Sequence, residues 1–102
     1  MEITDVRVSL RDEEKLKAFV TITFDDCFVI RGVKVILGNE GLFVAMPSRR
    51  KPDGTFQDIA HPIHREMRER LEDQVLAAYE AERERSGHPE SPDQAPWGVV
   101  KR

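Results

Sequence analysis

The sequence lacks several features that define whole classes of protein. It has a single cysteine, Cys27, in 102 residues, so no internal disulfide forms, which suits a reducing compartment. No unbroken apolar run is longer than that of residues 42–46, which is far shorter than the ~20 residues that cross a bilayer. The polar start at Met1 and Glu2 is not that of a signal peptide. We therefore expect a soluble, cytoplasmic protein with no membrane partner.

Signatures of catalysis are missing as well. The chain contains neither GxGxxG nor GxxxxGK[ST], the two phosphate-binding turns with a sequence signature. Asp25 and Asp26 are adjacent, which gives diverging side chains, so they are better explained as turn residues than as an acid–base pair. Cys27 has no histidine nearby in sequence, which favours a buried structural thiol over a nucleophile. We expect no catalytic residues and no enzyme.

One cluster resembles a metal site, namely His61 and His64 with Asp58 nearby. A zinc site needs three or four ligands, and the neighbouring sequence supplies no further one. Packing or hydrogen bonding at a loop–helix junction explains these residues better. We expect no metal and no cofactor.

Length and charge indicate one small domain with an acidic balance. A chain of 102 residues fits one domain. Hydrophobic residues make up 39% of it, which permits a modest core, and charged residues make up 34%. A net charge of −3 and a pI near 5.6 exclude an overall basic binder of the histone type, but not a local basic patch.

Hydrophobic periodicity predicts strands in the first half of the chain. Within residues 16–24 an apolar residue occupies every second position without a break, the pattern of a half-buried strand, and the positions between are polar except for Phe19. Residues 3–10 and the less regular segment 27–37 also favour strands, separated by polar turns. Residues 42–46 follow the turn signal Gly38-Asn39-Glu40-Gly41, and their continuous apolar run predicts a strand buried on both faces.

The second half predicts a loop and then one long helix. Residues 48–60 are typical of an ordered loop with Phe56 and Ile59 as its anchors. A helix is predicted from Pro62, because apolar residues recur every fourth position at Ile63, Met67, Leu71, Val75 and Tyr79. These boundaries define one domain over residues 1–85 and a flexible, Pro-rich C-terminal tail over residues 86–102.

The predicted fold class is α+β, an antiparallel four- to five-stranded sheet followed by one long C-terminal helix. A single helix covers only one face of such a sheet, whereas the 42–46 run requires cover on both. Phe19 also points to the more polar side of its strand. We therefore expect a homodimer that forms through the strands. The other explanation is that a loop or the tail supplies the cover.

A locally basic segment, residues 47–70, stands out in this acidic chain. Its cations are Arg49, Arg50, Lys51, Arg65, Arg68 and Arg70. Three consecutive cations beside a proline-stiffened turn form a compact anchor that suits phosphates. A solvated surface of an acidic chain gives the same pattern. The charge pattern alone does not decide between a phosphate-binding patch and a solvated charged surface.

The amino-acid sequence resembles the stage V sporulation protein G (SpoVG) family over nearly its whole length, except for the C-terminal tail. The resemblance rests on GLFVAMPS at 41–48, PDG at 52–54, DIAHPI at 58–63 and the opening MEITDVR. It implies a sheet with a C-terminal helix that dimerises through its strands. It also implies a non-enzymatic regulator of septation, sporulation or developmental gene expression that binds DNA and, in some members, RNA.

The resemblance assigns the family's Ser-(Lys/Arg)-Arg loop to Ser48, Arg49 and Arg50, and places site choice in the following helix. Two departures are His64, where the family usually has a helix-capping Asn, and Lys51, where it often has an uncharged residue. The expected nucleic-acid-binding residues are Arg49, Arg50, Lys51, Arg65 and Arg68. The alternative is a protein-interaction adaptor of the division machinery, supported by the acidic balance and the charged helix end at 80–85.

Overall fold

Four antiparallel strands form the main sheet of the computed structural model, which describes residues 1–86. The strands lie in chain order: β1 (Ile3–Leu10), β2 (Leu16–Phe24), β3 (Phe28–Gly38) and β4 (Gly41–Ala45). A separate two-stranded sheet, β5 (Ser48–Arg50) and β6 (Phe56–Asp58), precedes one helix, α1 (Arg65–Ser86). The predicted α+β fold is confirmed. The predicted tail, apart from Ser86, and its Trp97 lie outside the described residues.

The core forms between α1 and one face of the sheet. The alternation predicted in β2 is confirmed, because Ala18, Val20, Ile22 and Phe24 are all buried. From the helix, Leu71, Val75 and Tyr79 pack into the same cluster. Burial of one side chain of valine or leucine size contributes about 1.5–3 kcal/mol, so this single layer of contacts supports the fold. Within residues 1–86 no helix is long and apolar enough to cross a membrane.

The helix begins three residues later than the Pro62 start that the sequence predicted. The His64 carbonyl accepts the first helical bond from the Arg68 N–H at 3.0 Å, so His64 takes the N-cap position. Ile63, predicted to lie on the apolar stripe, precedes the first turn and is 84% exposed.

Within one copy of residues 1–86, the segment 42–46 is buried on one face only, and cover of its second face stays a prediction. Val44 and Met46 are buried, whereas Phe43 is 48% exposed. The reason is that α1 covers the face that carries Val44, and Phe43 points to the other. The Phe43 ring lies against Gly38, where an added Cβ would come within 3.0 Å of the ring.

The β2–β3 turn forces two aspartates into left-handed backbone geometry. Asp25 has φ 51° and Asp26 has φ 55°, and the Cys27 N–H donates to the Phe24 carbonyl at 3.0 Å. These features define a type I′ turn, whose twist matches that of the strands. The Glu2 N–H donates to Asp25 Oδ1 at 2.9 Å, which ties the turn to the chain start. Cys27, expected to be buried, is exposed because it closes this turn.

We predict that Asp26→Gly stabilises the protein by about 0.5–1 kcal/mol, because glycine adopts left-handed geometry without the Cβ penalty. Urea denaturation monitored by circular dichroism measures the change. The control is Asp26→Ala, which keeps the Cβ and is expected to lower stability. A glycine variant that unfolds at lower urea than the natural protein would contradict the turn assignment.

Candidate nucleic-acid interface

The segment predicted to be an ordered loop is a protruding two-stranded ribbon, named here the basic ribbon (residues 48–58). It leaves the sheet where β4 ends, and the Ile59 N–H donates to the Pro47 carbonyl at 2.7 Å, which closes its base. Every residue of the basic ribbon is exposed. Its strands are therefore not held by burial, and its side chains are available to a partner.

The tip of the basic ribbon is a hydrogen-bonded turn. The Lys51 N–H donates to the Thr55 carbonyl at 2.7 Å, and the Gly54 N–H donates to the Lys51 carbonyl at 2.9 Å. Gly54 has φ 91°, a left-handed conformation that favours glycine. Asp53 Oδ1 accepts from the Thr55 N–H at 3.0 Å and from its hydroxyl at 2.7 Å. These bonds hold the pKa of Asp53 below its usual value.

The register of the basic ribbon separates its two arginines. Arg50 lies opposite Phe56, and Arg49 lies opposite Gln57. Opposite residues of an antiparallel pair share a face, while neighbours along a strand alternate. One ribbon face thus carries Arg50 with Phe56, and the other carries Arg49 with Gln57. The prediction that the consecutive cations form one compact anchor was wrong for Arg49 and Arg50, because neighbouring residues on a strand point to opposite faces.

Phe56 and Ile59 do not anchor this segment to the core, contrary to expectation. Phe56 is 70% exposed and Ile59 is 66% exposed. The cause is the strand pairing, which holds the segment together by backbone hydrogen bonds and leaves the Phe56 ring on a ribbon face. An exposed ring beside a cation is the feature that sequence reasoning missed here. The spacing of Arg50 and Phe56 around a Pro-Asp-Gly turn was the available signal.

The helix cations differ from the ribbon cations in their neighbours. Arg65 Nε lies 3.3 Å from Glu69 Oε2, and Arg68 Nη1 lies 3.9 Å from Glu72 Oε2. Exposed pairs of this kind contribute about 0.3–0.5 kcal/mol, so a phosphate can compete with the carboxylate. Arg65 is exposed, whereas Arg68 is half-buried. The predicted site residues therefore divide into a ribbon group and a partly neutralised helix group.

The histidine cluster has structural roles. His61 Nδ1 donates to the Pro62 carbonyl at 3.1 Å, and His64 is the helix N-cap. Asp58 lies in β6 opposite Ser48, so it neither caps the helix nor shares a ribbon face with Arg49. Among residues 1–86, no group of three or more His, Cys, Asp or Glu side chains is placed to hold a metal ion.

An apolar cavity lies beneath the start of α1. Its volume is about 100 Å³, and all three methionines of the chain line it, Met1, Met46 and Met67. Ligand pockets usually span roughly 300–1,000 Å³, so this one is too small for a cofactor. Methionine commonly fills irregular gaps in a core, which accounts for the lining.

Comparison with known proteins finds a matching family and several relatives that are more than 50% identical to this chain. A family model described as SpoVG matches residues 1–81. A protein from Anaeromyxobacter sp. (strain Fw109-5) is 61% identical over 89 residues, which covers 87% of this chain and 92% of the relative. A Myxococcus xanthus protein is 56% identical over 80 residues, covering 78% and 81%, and one from Bdellovibrio bacteriovorus is 54% identical over 82 residues, covering 80% and 76%. All three carry the name "Putative septation protein SpoVG".

We predict that Thr55→Val raises the pKa of Asp53 toward its usual value, because it removes the hydroxyl donor. The rise is expected to be partial, since the Thr55 N–H is the larger cause and remains. Because the folded pKa is lowered, the stability contributed by Asp53 is present above the unfolded pKa and is lost as pH falls through the folded pKa.

Carboxyl chemical shifts followed by NMR during an acid titration measure this pKa. Thr21→Val, on the main sheet, is the control and is expected to leave Asp53 unchanged. An unaltered Asp53 titration in the Thr55 variant would contradict the hydrogen-bonded tip.

Proposed function

The chain belongs to the SpoVG family, and on that premise we propose that it is a non-enzymatic, nucleic-acid-binding regulator of bacterial septation and the associated developmental gene expression. The names of its relatives support the septation role. One observation supports nucleic-acid binding above the others. Within residues 1–86, Arg49, Arg50 and Lys51 are exposed and form no ion pair, whereas Arg65 and Arg68 lie beside carboxylates.

The ribbon cations bind phosphates, and the helix cations supply further contacts. Each phosphate that is neutralised releases condensed counterions, so affinity falls with salt at a slope of about −0.9 per contact on duplex DNA. A chain of net charge −3 gains little from long-range attraction. Binding therefore depends on local contacts at the basic ribbon, with DNA and RNA both offering the required phosphate.

A second copy of this chain is the proposed partner for the sheet face that α1 leaves uncovered. The register places Ile36 opposite Phe43 on that face, next to the pair of Lys34 and Ala45. Phe19 belongs to the same face, with the Arg11 guanidinium 5.0 Å from its ring centre. A homodimer removes this apolar surface from water and presents two basic ribbons, so the second contact forms at high effective concentration.

Dimerisation predicts that Phe43→Lys shifts the protein from dimer to monomer, because a lysine there places a charge in the buried surface. Size-exclusion chromatography with light scattering measures the mass, which is 11.7 kDa for one chain. Phe28→Lys is the control, since Phe28 is also exposed but lies opposite Phe24 on the helix side of the sheet. A natural protein that elutes as a monomer at micromolar concentration would exclude the dimer.

Nucleic-acid binding predicts that Arg49→Ala/Arg50→Ala weakens binding to all sequences. The slope of log affinity against log salt concentration is expected to decrease by the amount that corresponds to about one to two phosphate contacts. Fluorescence anisotropy with labelled random duplex DNA and single-stranded RNA, at 50 and 200 mM salt, measures both quantities. Lys15→Ala/Arg85→Ala removes the same charge from the far end of the sheet and the last helical turn, and is expected to bind normally.

The outcome separates this function from the protein-interaction adaptor. If the natural protein binds neither probe at micromolar concentration, the basic ribbon does not contact nucleic acid and the adaptor interpretation leads. Charge reversal at Glu80 and Glu84 would then be the informative change. At that helix end Glu80 pairs with Arg83, and Glu82 pairs with Arg85, so these charges are already partly used within the helix.

A further inference from the structure

Phe56 is an aromatic ring exposed on a ribbon that has no core of its own. It is 70% exposed, which is more than any other phenylalanine within residues 1–86. Arg50 lies directly opposite it across the ribbon, which places their Cβ atoms about 4.5–5.5 Å apart. Its ring contributes little to core packing, so a binding role is the better physical explanation for its position.

A ring and a guanidinium on one ribbon face match the two parts of a nucleotide. Aromatic faces stack on bases, and arginine binds the adjoining phosphate. We propose that the Arg50–Phe56 face of the basic ribbon binds single-stranded nucleic acid, with one unpaired base stacked on Phe56 and a neighbouring phosphate on Arg50. This inference rests on the proposed nucleic-acid-binding function and names its substrate.

The stacking geometry selects an unpaired strand over a duplex. Within a duplex the face of each base is covered by its neighbours, so only an unpaired base offers that face to Phe56. The opposite ribbon face, with Arg49 and Gln57, has no ring and contacts phosphates or base edges in either form. Stacking uses the base and not the sugar, so single-stranded DNA and RNA are expected to depend on Phe56 equally.

The same face also sets the size of the contact. The next pair along it is Ser48 opposite Asp58, about two residue rises nearer the base of the ribbon. The Asp58 carboxylate repels phosphates there, so the strand is held at the end near the tip, where Arg50 is the cation of this face. One ribbon therefore accommodates one or two nucleotides, and a longer strand engages a second ribbon.

The test compares Phe56 variants on three probes: a 12-nucleotide oligo(dT), a 12-nucleotide oligo(U) and a 12-base-pair duplex of mixed sequence. Phe56→Ala is expected to weaken binding of both single strands about tenfold and to change duplex binding less than twofold. Phe56→Leu keeps an apolar side chain without the aromatic face and is expected to lose nearly as much. Phe56→Tyr keeps the ring and is expected to bind like the natural protein.

Phe28→Ala removes another exposed phenylalanine ring, at the start of β3 and away from the basic ribbon, so it is the matched control and is expected to bind the single strands normally. Thermal unfolding checks that each variant is folded, which we expect because the Phe56 side chain is exposed. Single-strand affinity that is unchanged in Phe56→Ala, alongside weakened binding in Arg49→Ala/Arg50→Ala, would overturn the stacking role and leave the proposed function standing. Equal losses on strand and duplex would overturn the single-strand preference. A natural protein that binds none of the probes would overturn both.

Discussion

The packing of one helix against one face of a four-stranded sheet is the constraint on which the rest of the molecule depends. The buried positions of β2 meet the helix stripe formed by Leu71, Val75 and Tyr79, and this contact uses the only helix of residues 1–86. The apolar side chains of the opposite face then have no second layer of residues 1–86 packed over them, as the exposure of Phe43 shows. The basic ribbon, which follows β4, also has no remaining core to join. The uncovered sheet face and the exposed basic ribbon therefore have the same cause, which is that residues 1–86 contain one helix and it packs on the other face of the sheet.

The elements that depend on burial were predictable from the sequence. In β2 the apolar residues occupy every second position because one face of the strand packs on the core and the other faces away from it. In α1 they recur every fourth position for the same reason. The basic ribbon was not predictable in this way. Its strands have three residues each and are exposed on both faces, so no periodicity of hydrophobicity exists to reveal them. Only pairing across the Pro-Asp-Gly turn defines them, and pairing is a tertiary property.

The candidate site was predictable in its composition but not in its arrangement. The run of charge singled out Arg49, Arg50 and Lys51, the resemblance to the SpoVG family pointed to the first two, and the structure places all three on an exposed ribbon. Which face each one occupies depends on the register of β5 and β6, and the neutralisation of the helix cations depends on glutamates one turn away. Ile63 and Cys27 were misplaced for a related reason. Each lies at the boundary of an element, where a shift of one or two residues changes burial completely.

Alternation along a strand changes the meaning of consecutive cations. In an irregular loop, Arg49, Arg50 and Lys51 could all turn toward one partner, and their effect would be an additive attraction for any polyanion. On the basic ribbon, Arg49 and Arg50 point in opposite directions, so a partner on one face meets one arginine together with whatever lies opposite it. The cross-strand residues, Gln57 and Phe56, then decide what each arginine can recognise. Under the proposed function, specificity therefore resides in Gln57 and Phe56 of β6, and affinity resides in the arginines of β5.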